Sequence, residues 1–191
     1  MTMTNMDNSA VAPRTERRAP GTLAVGIVGF AAALALASQV AIPLPGTPVP
    51  LTLQPLLVVL AGLWLGPTAA AASMALYLVA GASGLPVFTP MGAPGAARLL
   101  GPTGGYLLAY PLAAWVTGRL GGRAGSFGAR ALAACAGMAV LYAGGLAQLT
   151  ILTGSLKSAA LAGAAPFAVL DLVKAHVAAA LAPKRGASLG S

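Results

Sequence analysis

Residues 167–181 read FAVLDLVKAHVAAAL, an apolar run that carries Asp171, Lys174 and His176 within six positions. A charge at the centre of a membrane helix costs roughly 2.5–3.5 kcal/mol on insertion scales, so two of them are expected to face a protein interior. At 100° per residue Asp171 and Lys174 share one face, which Ala175 and Ala178 extend, while His176 points nearly opposite Lys174. Two readings are open. The pair at i,i+3 either neutralises itself or presents an acceptor beside a donor to a ligand, and a purely structural pair is replaceable by apolar residues with little loss. Such a pair suits a neutral group offering both N–H and C=O, an amide or a urea. His176 is read as a hydrogen-bonded packing residue. Arg98 stands alone in an apolar loop; it is either a solvated loop charge or a bidentate partner for a carboxylate. Together these residues outline a small ligand with a polar head, an apolar body and an acid tail.

The elements that must position them are read as membrane helices. Of 191 residues 58% are hydrophobic and 7% charged, against roughly 25% charged in soluble domains, and the mean hydropathy is +0.84. The net charge of +8 is spread in short clusters between apolar runs rather than in a basic stripe with aromatics, which argues against nucleic acid. At about 20 residues per crossing there is room for roughly six spans. The runs fall at 23–42, 51–65, 68–82, a fourth opened by Leu100 to Thr103 and ending near 118, then 131–152 and 166–181. Between the first two, IPLPGTPVP forbids helix. The stretch 83–102 is a long Pro/Gly-rich loop, apolar enough to fold over something. Lys157 is placed in a short connector. The fold class expected is an all-α membrane protein of six transmembrane helices, organised as a polar and basic tail at 1–20, a membrane domain at 21–183 and a tail at 184–191. The opening MTMTN and closing GASLGS are left out of the fold argument, and the first run is read as a retained helix rather than a signal peptide.

Six spans put Arg14, Arg17, Arg18, Arg119, Arg123, Arg130, Lys184 and Arg185 on one side and only Arg98 and Lys157 on the other. That imbalance places both termini in the cytoplasm. Cys135, the single cysteine, forms no intramolecular disulfide and reads as a small core hydrophobe. Ala31, Ala33, Ala35 and Ala37 give small-xxx-small spacings that allow close helix approach, either within the bundle or toward a partner. Gly81 to Gly84 reads GxSG, and with His176 it raises an intramembrane serine protease of rhomboid type. No helix-forming run follows Ser83 and no second histidine exists, so that reading is set aside. No Walker A motif is present; the chain is read as a binder and carrier, not an enzyme, with no cofactor and no metal.

Four motifs in order resemble the BioY family: VPLTLQ at 49–54, LWLGP at 63–67, GLPVF at 84–88 and LGPTGGY at 100–106. The resemblance spans about 23–181. It implies the biotin-specific S component of an energy-coupling factor (ECF) transporter in the bacterial cytoplasmic membrane, with six helices, cytoplasmic termini and an outward vitamin site capped by the loops after spans one and three. By position it implies that Asp171 and Lys174 hold the ureido ring and Arg98 the carboxylate, with Tyr77, Tyr106 and Gln54 as further binding residues. The small-residue face of the first span would dock on a transmembrane coupling subunit, and ATP hydrolysis would belong to separate ATPase subunits. Partners implied are biotin, those subunits, the lipid bilayer and, as an option, a second copy in a homo-oligomer. A carrier for another small vitamin, or one that works without ATPase partners, remains the alternative.

Overall fold

In the computed structural model the described residues are 20–122 and 124–183. They form seven α-helices: α1 (Pro20–Gln39), α2 (Gln54–Leu65), α3 (Pro67–Ala82), α4 (Gly104–Gly121), α5 (Phe127–Thr153), α6 (Leu156–Gly163) and α7 (Ala168–Leu181). A 3-10 helix, Gly95–Leu100, interrupts the long loop before α4. Local chemistry sets these boundaries. Pro55 and Pro67 occupy first-turn positions of α2 and α3, where a missing N–H costs no helical bond. Ser126 caps α5 by accepting from the Ala129 amide at 3.2 Å, and Gly154 ends it in the left-handed conformation at φ 70°.

Two expectations change. The segment with Lys157 is a helix, α6, not a connector: Ser155 accepts from the Ser158 amide at 3.3 Å and starts a new turn directly after Gly154. It meets α7 at a bend of 55°. Secondly, only α1 and α5 are long and apolar enough to cross a bilayer singly, and the bent α6–α7 pair is a third such unit if taken as one span; α2 and α3 are shorter apolar helices. The all-helical class holds, and no strand occurs among the described residues, only one isolated bridge between Ile42 and Leu51. That bridge, with bonds of 2.9 and 2.8 Å, closes the Pro-rich loop into a hairpin whose prolines prevent a longer ladder.

The interior is made of small residues. Ala61, Ala70, Ala113, Ala114, Ala134, Ala175 and Ala178 are buried around Val58, Val59, Met74 and Tyr77. Large apolar side chains point outward instead: Ile151 is 81% exposed, Val169 75% and Val25 74%, as expected where hydrocarbon is the solvent. Close approach follows. A β-carbon on Gly144 of α5 would lie 2.6 Å from the Gly105 carbonyl of α4, so the two backbones touch with nothing between them. Buried hydroxyls find carbonyls: Ser73 donates to Ile27 of α1 (2.7 Å) and Ser38 to Val87 (2.6 Å), while Thr117 donates back to Ala113 within α4 (2.8 Å).

The small residues of α1 divide. Ala31 is buried and Ala35 packs against the core, so this pair serves intramolecular packing, while Ala33 and Ala37 are half-exposed. Among the basic residues, Arg14, Arg17, Arg18, Arg123, Lys184 and Arg185 lie outside the described residues, as do all but Pro20 of the tail expected at 1–20 and the whole of that at 184–191.

Candidate functional site

The charged pair sits at the start of α7. Asp171 is in its first turn, where the helix dipole favours a carboxylate, and its side chain is about one-tenth exposed, like that of Lys174. Lys174 Nζ donates to Asp171 Oδ1 at 2.7 Å. The other carboxylate oxygen, Oδ2, accepts from the Tyr142 hydroxyl of α5 at 2.6 Å. This is the single salt bridge among the described residues. His176 is on the exposed side of α7, its Nδ1 2.8 Å from the Leu172 carbonyl.

Asp171 and Lys174 line a cavity bounded by the hairpin after α1, the start of α2, and α4, α5 and α7. Gln54, Arg98 and Tyr106 line it too, so five of the six expected binding residues share one space. Tyr77 does not. It is 1% exposed and stands behind the wall, its hydroxyl accepting from Gln54 Nε2 at 2.8 Å while its ring stacks on Tyr110 at 6.3 Å. Tyr106 donates to the Gly163 carbonyl (2.7 Å), pinning α4 to the end of α6. Tyr110, Tyr142, Phe88 and Phe167 complete the aromatic lining and were not singled out from the sequence as binding residues. The signal for Tyr142 was its hydroxyl: a tyrosine inside an apolar helix must find a polar partner, and Asp171, 29 positions away, supplies it.

Arg98 is not a solvated loop charge. It is 5% exposed, and its guanidinium donates to the carbonyls of Thr89 and Met91. Gly92, at φ 109°, is required beside it because a β-carbon there would collide with Nη1. Burial lowers the pKa of this guanidinium from its ordinary value, yet a guanidinium remains charged in proteins. Arg98 is on the side of the cavity shared with a second space beneath the loops, and Asp171 on the side shared with an apolar groove between α5 and α7. The cavity thus has a dipolar patch at one side, aromatic and aliphatic walls, and a lone cation at the other. Its volume is about 70 Å³, well under the roughly 300–1,000 Å³ of small-molecule sites, so a guest of that size would fit only with its walls parted. Ser83 and His176 are absent from the lining; Ser83 donates to the Ala80 carbonyl at 2.8 Å at the end of α3, with no helix N-terminus behind it.

These features define a helical membrane protein with an internal cavity lined by an ion pair, aromatic and aliphatic walls and a buried arginine. The BioY family model matches residues 10–190, and the chain belongs to the BioY family. It is 39% identical over 81% of its length to the probable biotin transporter BioY of Pyrococcus horikoshii, covering 90% of that protein. To the biotin transporter BioY of Thermotoga maritima it is 38% identical over 80% of its length, covering 89% of the relative. A crystal structure of the S-component for biotin from an ECF-type ABC transporter superposes with a TM-score of 0.77 over 85% of this chain and 89% of that one. At 24% identity that likeness is one of fold.

Proposed function

We propose that this chain captures biotin and serves as the substrate-binding subunit of an ECF-type transporter in a bacterial cytoplasmic membrane. The observation that carries the reading is one cavity lined by the buried Asp171–Lys174 pair and by a buried arginine. The ureido group offers N–H donors to Asp171 and a carbonyl to Lys174, the ring and chain take the aromatic and aliphatic walls, and the carboxylate meets Arg98. Apolar burial drives binding, and the polar groups set specificity because any left unpaired inside is costly. The names of the relatives support the ligand, and the likeness of fold supports the role of S component. Mass spectrometry of the purified protein is expected to find co-purified biotin, and titration of the stripped protein to give tight one-to-one binding; no binding of biotin ends the reading.

Tyr142 belongs to the site on this reading, since it keeps one carboxylate oxygen of Asp171 oriented. Tyr142→Phe is expected to weaken biotin about tenfold, in line with roughly 0.5–1.5 kcal/mol for a lost hydrogen bond, while His176→Ala stays within about twofold. Equal losses from both in isothermal titration would contradict the assigned faces.

Six crossings follow if α1 to α5 each cross and the α6–α7 pair is one bent span. The charge imbalance then orients both termini to the cytoplasm. The approach of Arg130 Nη1 to the Pro183 carbonyl, 3.5 Å, supports a shared side for the linker before α5 and the end of α7. Reporter fusions at both ends should read cytoplasmic; opposite readings would require an odd number of spans. Coupling to a transmembrane subunit and ATPases is part of the same proposal, with the half-exposed Ala33 and Ala37 left as the docking residues on α1. Biotin uptake in cells with and without those subunits measures that dependence.

A further inference from the structure

The second space lies between the hairpin after α1 and the loop before α4. It is lined by Thr47 and Pro48 on one side and by Met91, Gly92 and Ala93 on the other. At about 290 Å³ it is larger than the inner cavity, and Pro50, Arg98 and Thr103 line both. Of the three shared residues Arg98 is the one whose side chain has partners on both sides. One Arg98 nitrogen donates to Thr89, which lines the inner cavity, and the other to Met91, which lines the loop cavity. Two of its five N–H donors are so engaged, leaving others for a ligand oxygen at the boundary.

A guest whose ring lies against Asp171 and Lys174 therefore brings its carboxyl carbon to the side where the site continues into the loop cavity. We propose that the loop cavity is a subsite for groups joined to that carbon through an amide, so that the protein binds biotin conjugated to an amine as well as the free acid. This rests on the biotin reading above. An amide keeps one carbonyl oxygen to accept from Arg98 and loses the charge and the second acceptor oxygen. Its amine portion then lies among Pro48, Ala93 and the hydroxyl of Thr47, and among the described residues Arg98 is the only ionisable one lining that space. A short, flexible, polar substituent of lysine size fits this chemistry. A bulky apolar one does not.

The test is calorimetric titration of the detergent-purified, biotin-stripped full chain with biotin and with the amide formed between biotin and the side-chain amine of free lysine. The amide should bind within about tenfold of biotin. Ala93→Trp, which fills the loop cavity, should weaken the amide by more than tenfold and leave biotin unchanged, and Pro48→Trp on the hairpin side should do the same. Arg98→Gln should weaken biotin more than the amide, because only the free acid loses a charge pair. The proposal is overturned by an amide more than a hundredfold weaker than biotin in the parent, or by tryptophan variants that weaken both ligands alike. If biotin itself does not bind the parent protein, the functional reading falls and this one with it.

Discussion

Replacing Asp171 and Lys174 together by leucine is expected to abolish biotin binding, by a hundredfold or more in Kd, without loss of thermal stability. The two charge-assisted contacts to the ureido group carry about 1.5–3 kcal/mol each, and their sum exceeds the roughly 2.7 kcal/mol that a hundredfold requires. Stability behaves differently because the pair is about nine-tenths buried. Exchanging a buried ion pair for apolar residues of similar size is often neutral or stabilising, whereas removing one partner strands the other. Asp171→Asn alone therefore weakens both binding and melting temperature, because Lys174 loses its carboxylate. The double variant separates the two effects. A double variant that melts like the parent and still binds biotin as tightly would show that the pair only neutralises itself.

The second large effect is expected in packing. Gly144→Leu forces a side chain into the contact between α4 and α5, where even a β-carbon would be 2.6 Å from the Gly105 carbonyl and 2.7 Å from the Ala109 β-carbon. Overpacking costs about 1–3 kcal/mol where side chains yield, and here the obstacle is backbone. A fall of at least about 6–12 °C in melting temperature is expected, at roughly 2–4 °C per kcal/mol for a chain of this size. Gly29→Leu is the matched control, since nothing lies within 4 Å of a β-carbon there. Differential scanning fluorimetry showing the same melting point for both variants would contradict the α4–α5 contact.

Much of this was legible in residue order. Hydropathy located α1, α3 and α5 to within a few residues, because long apolar runs bounded by proline and glycine have few other solutions in a membrane chain. Helical spacing placed Asp171 with Ala175 and Ala178 and turned His176 away, as observed. The misses have physical causes. The α6 segment carries Ser155, Lys157 and Ser158, so hydropathy reads it as a connector; the cap formed by Ser155 outweighs that polarity. The burial of Arg98 was hidden because its partners are carbonyls, which every residue has, and only the fold of a Pro/Gly-rich loop aims two of them at one guanidinium. Tyr77 looked like a contact residue but its hydroxyl is taken by Gln54. Alanine spacing on α1 could not tell inward from outward; Ala31 and Ala35 turn in because Leu34 and Ser38 share their face.

An interior of methyl groups has a mechanical corollary. Alanine has no rotamers to exchange, so buried helices spaced by Ala113, Ala134 and Ala175 cannot make room by swinging side chains aside. The bundle is expected to move as a stiff block, leaving swelling of the narrow chamber mainly to the hairpin after α1. That hairpin is moored to α6 by the Thr47 hydroxyl on the Ala162 carbonyl at 2.6 Å. On the proposed reading, a guest's residence is expected to follow how often this tether parts.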